Sequence, residues 1–172
     1  EAVHKEFETH FAFSKDGGSF ERATERCVGV GACRQASGGV MCPSYQGTGE
    51  EMHSTRGRAH MLWEMLAGSL QPEGFSSEVV EEALSLCLSC KACKTECPVQ
   101  VDMAQYKAEF LAQHYKDRRR PLQHYVFGFA DKLARWGSLA PGLTNATLNG
   151  PLTSSLIKRI AGVANERNFP KL

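Results

Sequence analysis

The chain has 172 residues, enough for one domain or for a domain with an additional arm. Apolar residues make up 42% and charged residues 23%, and the net charge of +1 gives no electrostatic ground for nucleic-acid or membrane binding. The sequence has no secretory signal and no apolar run long enough for a transmembrane helix. Because it begins EAVHKEF, without methionine, we expect it to be a piece of a longer polypeptide.

The first half of the chain predicts an arm, a glycine-rich segment and a helix. Residues 1–20 have mixed charge followed by KDGGS, which indicates a loosely held entry arm at the N-terminus. Residues 21–49 contain many glycines around a first group of cysteines, so we predict loops or short helical turns there. Residues 54–69 have apolar side chains at helical spacing, and Ser54 or Thr55 is the candidate cap of this helix.

A second helix is predicted to lead into the second group of cysteines. Pro72 and Gly74 are expected to end the preceding helix, and Ser76 or Ser77 to begin this one. Its apolar residues recur at helical spacing up to Cys87. No stretch of the chain shows the sustained alternation that is typical of a strand.

Three more helices are predicted after the second cysteine group. Asp102 is a candidate N-cap for a helix that Pro121 ends. Residues 122–137 repeat the helical spacing, and a weaker last helix is predicted over residues 152–164, with Leu152 as its first apolar residue. The segment APGLTNATLNGP between them is rich in turn-forming residues, so we predict a loop there. The predicted fold class is therefore all-α.

The second cysteine group, Cys87, Cys90, Cys93 and Cys97, has the spacing C-x2-C-x2-C-x3-C followed by proline. This spacing is typical of iron–sulfur ligation, in which the first three thiolates hold one cluster and the fourth usually ligates another cluster. A structural zinc site usually pairs two distant knuckles instead. We therefore predict that this group binds a 4Fe–4S cluster.

The first group has the same register as the second but lacks one thiol. In CVGVGACR, Cys27 and Cys33 occupy the outer positions and Val30 the middle one. The Cys-Pro ending reappears only at Cys42, after a longer gap. The chain thus offers seven thiolates where two four-iron clusters need eight, and an odd number also argues against a secreted disulfide scaffold.

Three interpretations of the seven thiols remain open. In the first, Cys42 completes the four-iron site, and Cys27, Cys33 and Cys97 hold a second cluster, either 3Fe–4S or 4Fe–4S with another ligand. In the second, only one cluster is bound and the first group is structural. In the third, an open iron corner binds substrate as a Lewis acid in a non-redox reaction such as dehydration. His53 is the candidate replacement ligand, although a packed or solvated histidine is the simpler interpretation.

Several cations lie close to the cysteines in the sequence. Arg56 and Arg58 follow the first group in STRGR, and Lys91 and Lys94 lie inside the second. A cluster with four thiolates is anionic, so nearby cations and amide donors raise its reduction potential. The alternative for the two arginines is a solvated helix face or a surface for a partner domain.

Both cysteine groups lie within four segments that occur in a fixed order: RCVGVGACR, GVMCPSY, EEMHSTRGRAHMLWEML and ALSLCLSCKACKTECPVQVDMAQYKAEFL. Together they resemble the iron–sulfur region of FAD-linked D-lactate and D-2-hydroxyglutarate dehydrogenases. They are similar to the iron–sulfur subunit of glycolate oxidase and, more distantly, to the α-helical ferredoxin domain of succinate dehydrogenase. The resemblance implies an α-helical ferredoxin with two cluster-binding cysteine loops held between helices. It also implies that a non-cysteine residue at the position of Val30 goes with a 3Fe–4S cluster.

The resemblance implies an electron-transfer module without catalytic residues of its own. It places the ferredoxin domain at residues 21–120, after the arm, and leaves residues 121–172 as a helical extension that continues into a further domain. The expected partners are an FAD-containing domain or subunit and a downstream electron acceptor. We expect a cytoplasmic location, with the inner face of the membrane as the alternative site. The rival functions are a hydro-lyase with an open iron corner and a structural metal or interaction module.

Overall fold

The computed structural model of the chain describes residues 7–68, 73–151 and 153–172. In these ranges every regular element is a helix, which confirms the predicted all-α class. Residues 1–6 of the predicted arm, Pro72 and Leu152 lie outside the described residues. The α-helices, labelled α1 to α10 in chain order, span Phe20–Glu25, Pro43–Thr48, Thr55–Ala67, Glu78–Ser85, Ala92–Glu96, Met103–His114, Leu122–Gly128, Ala130–Gly137, Pro141–Asn149 and Ser154–Ala161.

The chain divides into two compact units, Glu1–Asp117 and Arg118–Leu172. The first unit contains α1 to α6 and every cysteine of the chain. In this unit α3 packs against α1, α4 and α6. Its apolar core includes three cysteines together with aromatic and aliphatic side chains: Cys33, Cys42, Cys93, Phe13, Phe20, Leu62, Val80, Leu84, Val101, Met103, Tyr106 and Phe110. The cysteine loops are therefore packed onto the helices.

The predicted helix starts around the cysteine groups are confirmed by their capping contacts. The Ser54 side chain accepts a hydrogen bond from an amide in the first turn of α3, Ser77 does the same for α4, and Asp102 does so for α6. Each cap satisfies one of the amides that a helix start leaves without an intrahelical partner. The local sequence thus determines where α3, α4 and α6 begin.

Gly57 in the first turn of α3 allows the preceding segment to lie against the helix. A Cβ at this position would overlap the carbonyl oxygen of Glu51, which belongs to a short 3-10 helix over Glu51–His53. The Gly57 amide donates to the Ser54 side chain at 2.8 Å. The absence of a side chain therefore sets how closely the chain after Cys42 approaches the start of α3.

The prediction of a loosely held arm is wrong for its described part, residues 7–20, which is attached to the core of the first unit. Phe13 and Phe20 are 5% and 2% exposed. The Glu109 carboxylate on α6 is fully buried and accepts hydrogen bonds from the amides of His10 and Phe11, at 2.9 and 3.1 Å. Amide donors of this kind compensate the cost of burying a charged group.

The second unit consists of α7 to α10 and differs from the prediction in two places. The single helix predicted over residues 122–137 is divided at Phe129, whose φ of −113° lies outside the helical range. The loop predicted for APGLTNATLNGP is wrong, because α9 occupies most of it. Pro141 is the first residue of that helix, where its fixed φ fits and no N–H is needed. The predicted last helix is confirmed as α10.

Many apolar side chains of the second unit are exposed. The helices α7, α8 and α9 bury none of their residues. Of the described helices, none has the length and the apolar character needed to cross a membrane.

Candidate metal centre

The second cysteine loop runs from the end of α4 to the start of α5. Ser89 and Lys91, on either side of Cys90, have φ values of +53° and +61°. Left-handed residues other than glycine are uncommon and concentrate at functional sites. This backbone buries the thiol of Cys93, which is 7% exposed, and leaves Cys90 exposed.

The first cysteine loop has the same backbone conformation in the same register. Gly29 and Gly31 have φ values of +78° and +80° at the positions equivalent to Ser89 and Lys91. Cys33, the equivalent of Cys93, is 6% exposed. Val30 takes the place of Cys90 and is 60% exposed. The two loops, which the cysteine spacing aligns in sequence, therefore also have equivalent backbone structures.

Cys33 in the first loop and Cys93 in the second each accept a hydrogen bond from the first turn of a long helix. The Arg56 amide in α3 donates to Cys33 Sγ at 3.3 Å, and the Met103 amide in α6 donates to Cys93 Sγ at 3.4 Å. Helix starts carry a partial positive charge and unsatisfied amides, which stabilise thiolates and other anions. Each loop thus presents one sulfur to a helix N-terminus.

Burial disfavours the thiolate form of both Cys93 and Cys33. It raises the pKa of the Cys93 thiol to about 11, while the Met103 amide opposes the shift and Asp102 adds to it. Burial also raises the pKa of Cys33, the Arg56 amide opposes that shift, and the thiols of Cys42 and Cys27 add to it. A cationic metal centre would reverse this balance, because ligating thiols are deprotonated.

Four thiols line a single cleft of the first unit. Cys42 comes from the first group, and Cys87, Cys90 and Cys93 come from the second. The cleft is partly open to solvent. The rest of its lining comes from the starts of α2, α3 and α6 and from the second loop: Pro43, Ser44, Thr55, Arg58, Leu88, Ser89, Lys91, Met103 and Ala104. The predicted ligands of the four-iron site therefore border the same space.

Cys42 has its own set of polar contacts at this cleft. The Thr55 hydroxyl donates to its sulfur at 3.6 Å, and the Cys42 thiol donates to the His53 carbonyl oxygen at 3.2 Å. Cys42 has a left-handed φ of +58°, directly before the proline that begins α2. The turn at the Cys-Pro step thus directs the thiol toward the start of α3.

Glu96 joins the two cysteine groups. Its carboxylate accepts hydrogen bonds from the amides of Val40 and Met41, with a shortest distance of 2.8 Å at Met41. Because Met41 precedes Cys42 and Glu96 precedes Cys97, this contact ties the first group's Cys-Pro step to α5. Sequence reasoning missed the role of Glu96, since nothing in the pattern connects it to residues more than 50 positions away.

One buried cation borders the cleft, and a partly buried one contacts the second loop. The Arg58 side chain is 2% exposed and borders the cleft, and its Nη2 atom has no hydrogen-bond partner in the described part of the chain. Lys107 Nζ donates to the carbonyl oxygen of Cys87 at 2.8 Å. Burial lowers the pKa of Lys107, and the charge of Arg58 lowers it further, while Cys87 opposes the shift. Free thiols, helix amides and a buried cation with spare donors fit an anionic iron–sulfur cluster.

The other predicted ligands are less closely grouped. Cys27 and Cys97 are partly buried and pack against the core, and each cysteine of the chain is a free thiol. His53 is 8% exposed, and its Nδ1 lies 3.1 Å from the Thr48 hydroxyl. Whether Cys27, Cys33 and Cys97 hold a second cluster, and whether His53 ligates iron, both stay predictions.

Over the three described ranges, the His, Cys, Asp and Glu side chains form no group of three that closes around one metal ion. A cubane makes a different demand, because each of its four thiolates ligates a different iron. The four cysteine sulfurs that ligate a cubane are therefore further apart than the ligands of a single metal ion, because they surround the whole cluster. Cys42, Cys87, Cys90 and Cys93 come from two loops and border one cleft.

Known proteins provide an independent comparison. Residues 23–101 match the family described as 4Fe-4S dicluster domain. The chain is 28% identical to the D-2-hydroxyglutarate dehydrogenase of Pseudomonas putida, in an alignment that covers 81% of this chain and 17% of that protein. It is 27% identical to the enzyme of the same name from Escherichia coli, over 84% of this chain and 18% of that protein.

A second kind of relative matches a shorter part of the chain. The probable glycolate oxidase iron-sulfur subunit of Bacillus subtilis is 37% identical, over 48% of this chain and 17% of that protein. The chain thus spans less than a fifth of the length of these relatives. No solved structure matches the chain.

These matches confirm the resemblance to D-2-hydroxyglutarate dehydrogenases and to glycolate oxidase iron–sulfur subunits. Residues 23–101 form an iron–sulfur domain related to those proteins. The two cysteine loops, their helix contacts and the cleft all lie within this range or directly beside it.

Proposed function

We propose that the chain is the electron-transfer module of a flavin-dependent 2-hydroxy-acid dehydrogenase. In this proposal it passes electrons one at a time from reduced FAD, held by another domain or subunit, to a downstream acceptor. The observation that carries the proposal is the cleft lined by Cys42, Cys87, Cys90 and Cys93. A 4Fe–4S cluster requires four thiolate ligands, one for each iron, and in this proposal these four cysteines supply them.

The residues around the cleft have distinct tasks in this proposal. A bound cluster supplies one-electron chemistry, and the protein tunes its reduction potential. The Met103 amide and the Thr55 hydroxyl donate to ligand sulfurs, which stabilises negative charge there. Cys90 is exposed and has the exposed Leu88 two positions before it. A redox partner can therefore approach one ligand from solvent.

The substrate class comes from the relatives, whose names specify D-2-hydroxyglutarate and glycolate. Both are 2-hydroxy acids, and their oxidation would occur at the flavin outside this chain. We therefore expect that the chain by itself does not turn over a hydroxy acid, and we place it in the cytoplasm or at the inner face of the membrane. A second cluster held by Cys27, Cys33 and Cys97 would extend the electron path.

The test is EPR spectroscopy on the anaerobically purified protein, oxidised and then reduced with dithionite, with iron and sulfide measured on the same sample. About seven irons per chain and a signal in the oxidised state would support one three-iron and one four-iron cluster. About four irons and a signal only after reduction would support a single 4Fe–4S site. Iron-free protein without sulfide would contradict the proposal and favour a structural zinc site.

A further inference from the structure

Arg58 is the most deeply buried charged side chain at the cleft, and its contacts leave its charge uncompensated. Its Nε donates to the Ala83 carbonyl oxygen at 2.6 Å, and Nη1 donates to the Ser44 hydroxyl at 2.9 Å. Nη1 also lies 3.8 Å from Cys42 Sγ. Within the described ranges, its partners are thus a carbonyl, a hydroxyl and a thiol, none of which is a carboxylate.

Arg56, two residues earlier on the same helix, shows the usual arrangement. Its side chain is one-third exposed, and its Nη1 forms an ion pair with Glu51 at 2.6 Å. Arg58 is 2% exposed and has no such partner in the described part of the chain. Removing a guanidinium from water without a counter-charge is strongly unfavourable, so buried cations are found paired with anions. The burial of Arg58 therefore calls for an anion beside it.

Arg58 borders the cleft and has one donor nitrogen without a partner in the described part of the chain. Nη2 is buried and has no hydrogen-bond partner within the described ranges, and the side chain borders the cleft with Cys42, Cys87, Cys90 and Cys93. The guanidinium is held in position by the hydrogen bonds of Nε to the Ala83 carbonyl and of Nη1 to the Ser44 hydroxyl. A rigid, oriented cation of this kind loses little conformational freedom when a ligand arrives.

We propose that Arg58 is the buried counter-ion of the cluster in this cleft and that its charge raises the reduction potential of that cluster. The inference rests on the proposed function, since it assumes a cluster held by these thiols. One-electron reduction adds one negative charge to the cluster, and a fixed buried cation stabilises the more negative state.

The experiment compares Arg58→Gln with the unaltered protein in an anaerobic redox titration followed by EPR, with iron and sulfide counted. Glutamine keeps hydrogen-bonding capacity and removes the charge. We expect the ratio of reduced to oxidised cluster at a fixed applied potential to fall about tenfold, which is a lowering of about 59 mV for one electron. Arg22→Gln is the matched control, because it removes the same charge from an exposed position where solvent and salt screen it.

A second variant covers the case in which Arg58→Gln assembles no cluster. Arg58→Lys keeps the charge and loses the fork, so it should assemble the cluster with a potential close to that of the unaltered protein. If Arg58→Lys also remains empty, the charge is not what the site needs, and the inference is overturned. An assembled Arg58→Gln cluster with an unchanged potential would overturn it equally.

These outcomes are separable from failure of the proposed function. If the unaltered protein holds no iron and sulfide, the proposed function fails before any variant is compared. If it holds a reducible cluster and only the Arg58 variants behave unexpectedly, the electron-transfer proposal stands and the inference about Arg58 fails.

Discussion

The loops Cys27–Cys33 and Cys87–Cys93 share a backbone conformation and differ in their chemistry. Both place left-handed residues at the same two positions and present the last cysteine to the start of a long helix. The first loop has glycine at both left-handed positions, while the second has Ser89 and Lys91 there. Only the second loop has a thiol at the middle position, since Val30 replaces it in the first.

The comparison shows that the shape of these loops does not depend on a complete set of ligands. Left-handed residues other than glycine each cost about 1–3 kcal/mol and persist only where the surroundings impose them. In the first loop glycine removes that cost, and the turn forms around an apolar middle residue. In the second loop Ser89 and Lys91 are held in the strained conformation beside the cleft. We infer that the second loop is the more strongly constrained of the two.

The largest expected effect comes from altering the middle position of each loop. Cys90→Ser removes a predicted thiolate ligand, so we expect loss of the four-iron cluster. Val30→Ser changes the equivalent position, which supplies no ligand, and should leave the iron content unchanged. Iron and sulfide analysis with EPR of the reduced protein measures both. If Cys90→Ser removes all iron at once, the two loops assemble as one unit and the division into two sites is wrong.

The next largest effect is expected from altering Cys42 or Cys97, the cysteines predicted to complete the two cluster sites. Cys42→Ser should remove the signal of the four-iron cluster, because Cys42 lines the cleft with Cys87, Cys90 and Cys93. Cys97→Ser should spare that signal and weaken any cluster at Cys27 and Cys33. EPR spectra of the two variants, oxidised and reduced, provide the measurement. The opposite pattern of losses would show that each loop uses its own Cys-Pro cysteine.

A smaller change is expected when the missing thiol is supplied. Val30→Cys places a thiol at the position that corresponds to Cys90, in a loop with the same backbone conformation. If the first loop holds a 3Fe–4S cluster, the variant should gain about one iron per chain and lose the EPR signal of the oxidised protein. An unchanged spectrum and iron count would mean that the equivalent position does not face a cluster.

The smallest effect tests the helix starts that face the two loops. Gly57 and Gln105 are equivalent, since the amide of each donates to the cap of its helix, Ser54 or Asp102. Gly57→Ala would push against the Glu51 carbonyl and should lower the free energy of unfolding by about 1–3 kcal/mol. Gln105→Ala, the control, should stay within about 0.5 kcal/mol. Urea unfolding followed by circular dichroism measures both, and equal midpoints would contradict the close approach at Gly57.

The sequence by itself determined the all-α class, the starts of α3, α4 and α6, and the equivalence of the two cysteine loops. These features depend on caps, helical periodicity and cysteine spacing, which act between residues close together in the chain. The same local rules failed at Pro141, because a proline that ends one helix can equally begin another.

Only the tertiary structure decided which groups surround the cysteines. Three features join residues that are far apart in the chain. Cys42 borders the same cleft as the second loop, the amides of Val40 and Met41 donate hydrogen bonds to Glu96, and Arg58 is buried. Helix packing sets such contacts, and no periodicity records them. STRGR contains two arginines of equal charge, yet the fold leaves Arg56 partly exposed and paired with Glu51 and buries Arg58 at the cleft that four cysteines line. That difference follows from the direction in which each side chain leaves α3 and from what packs there.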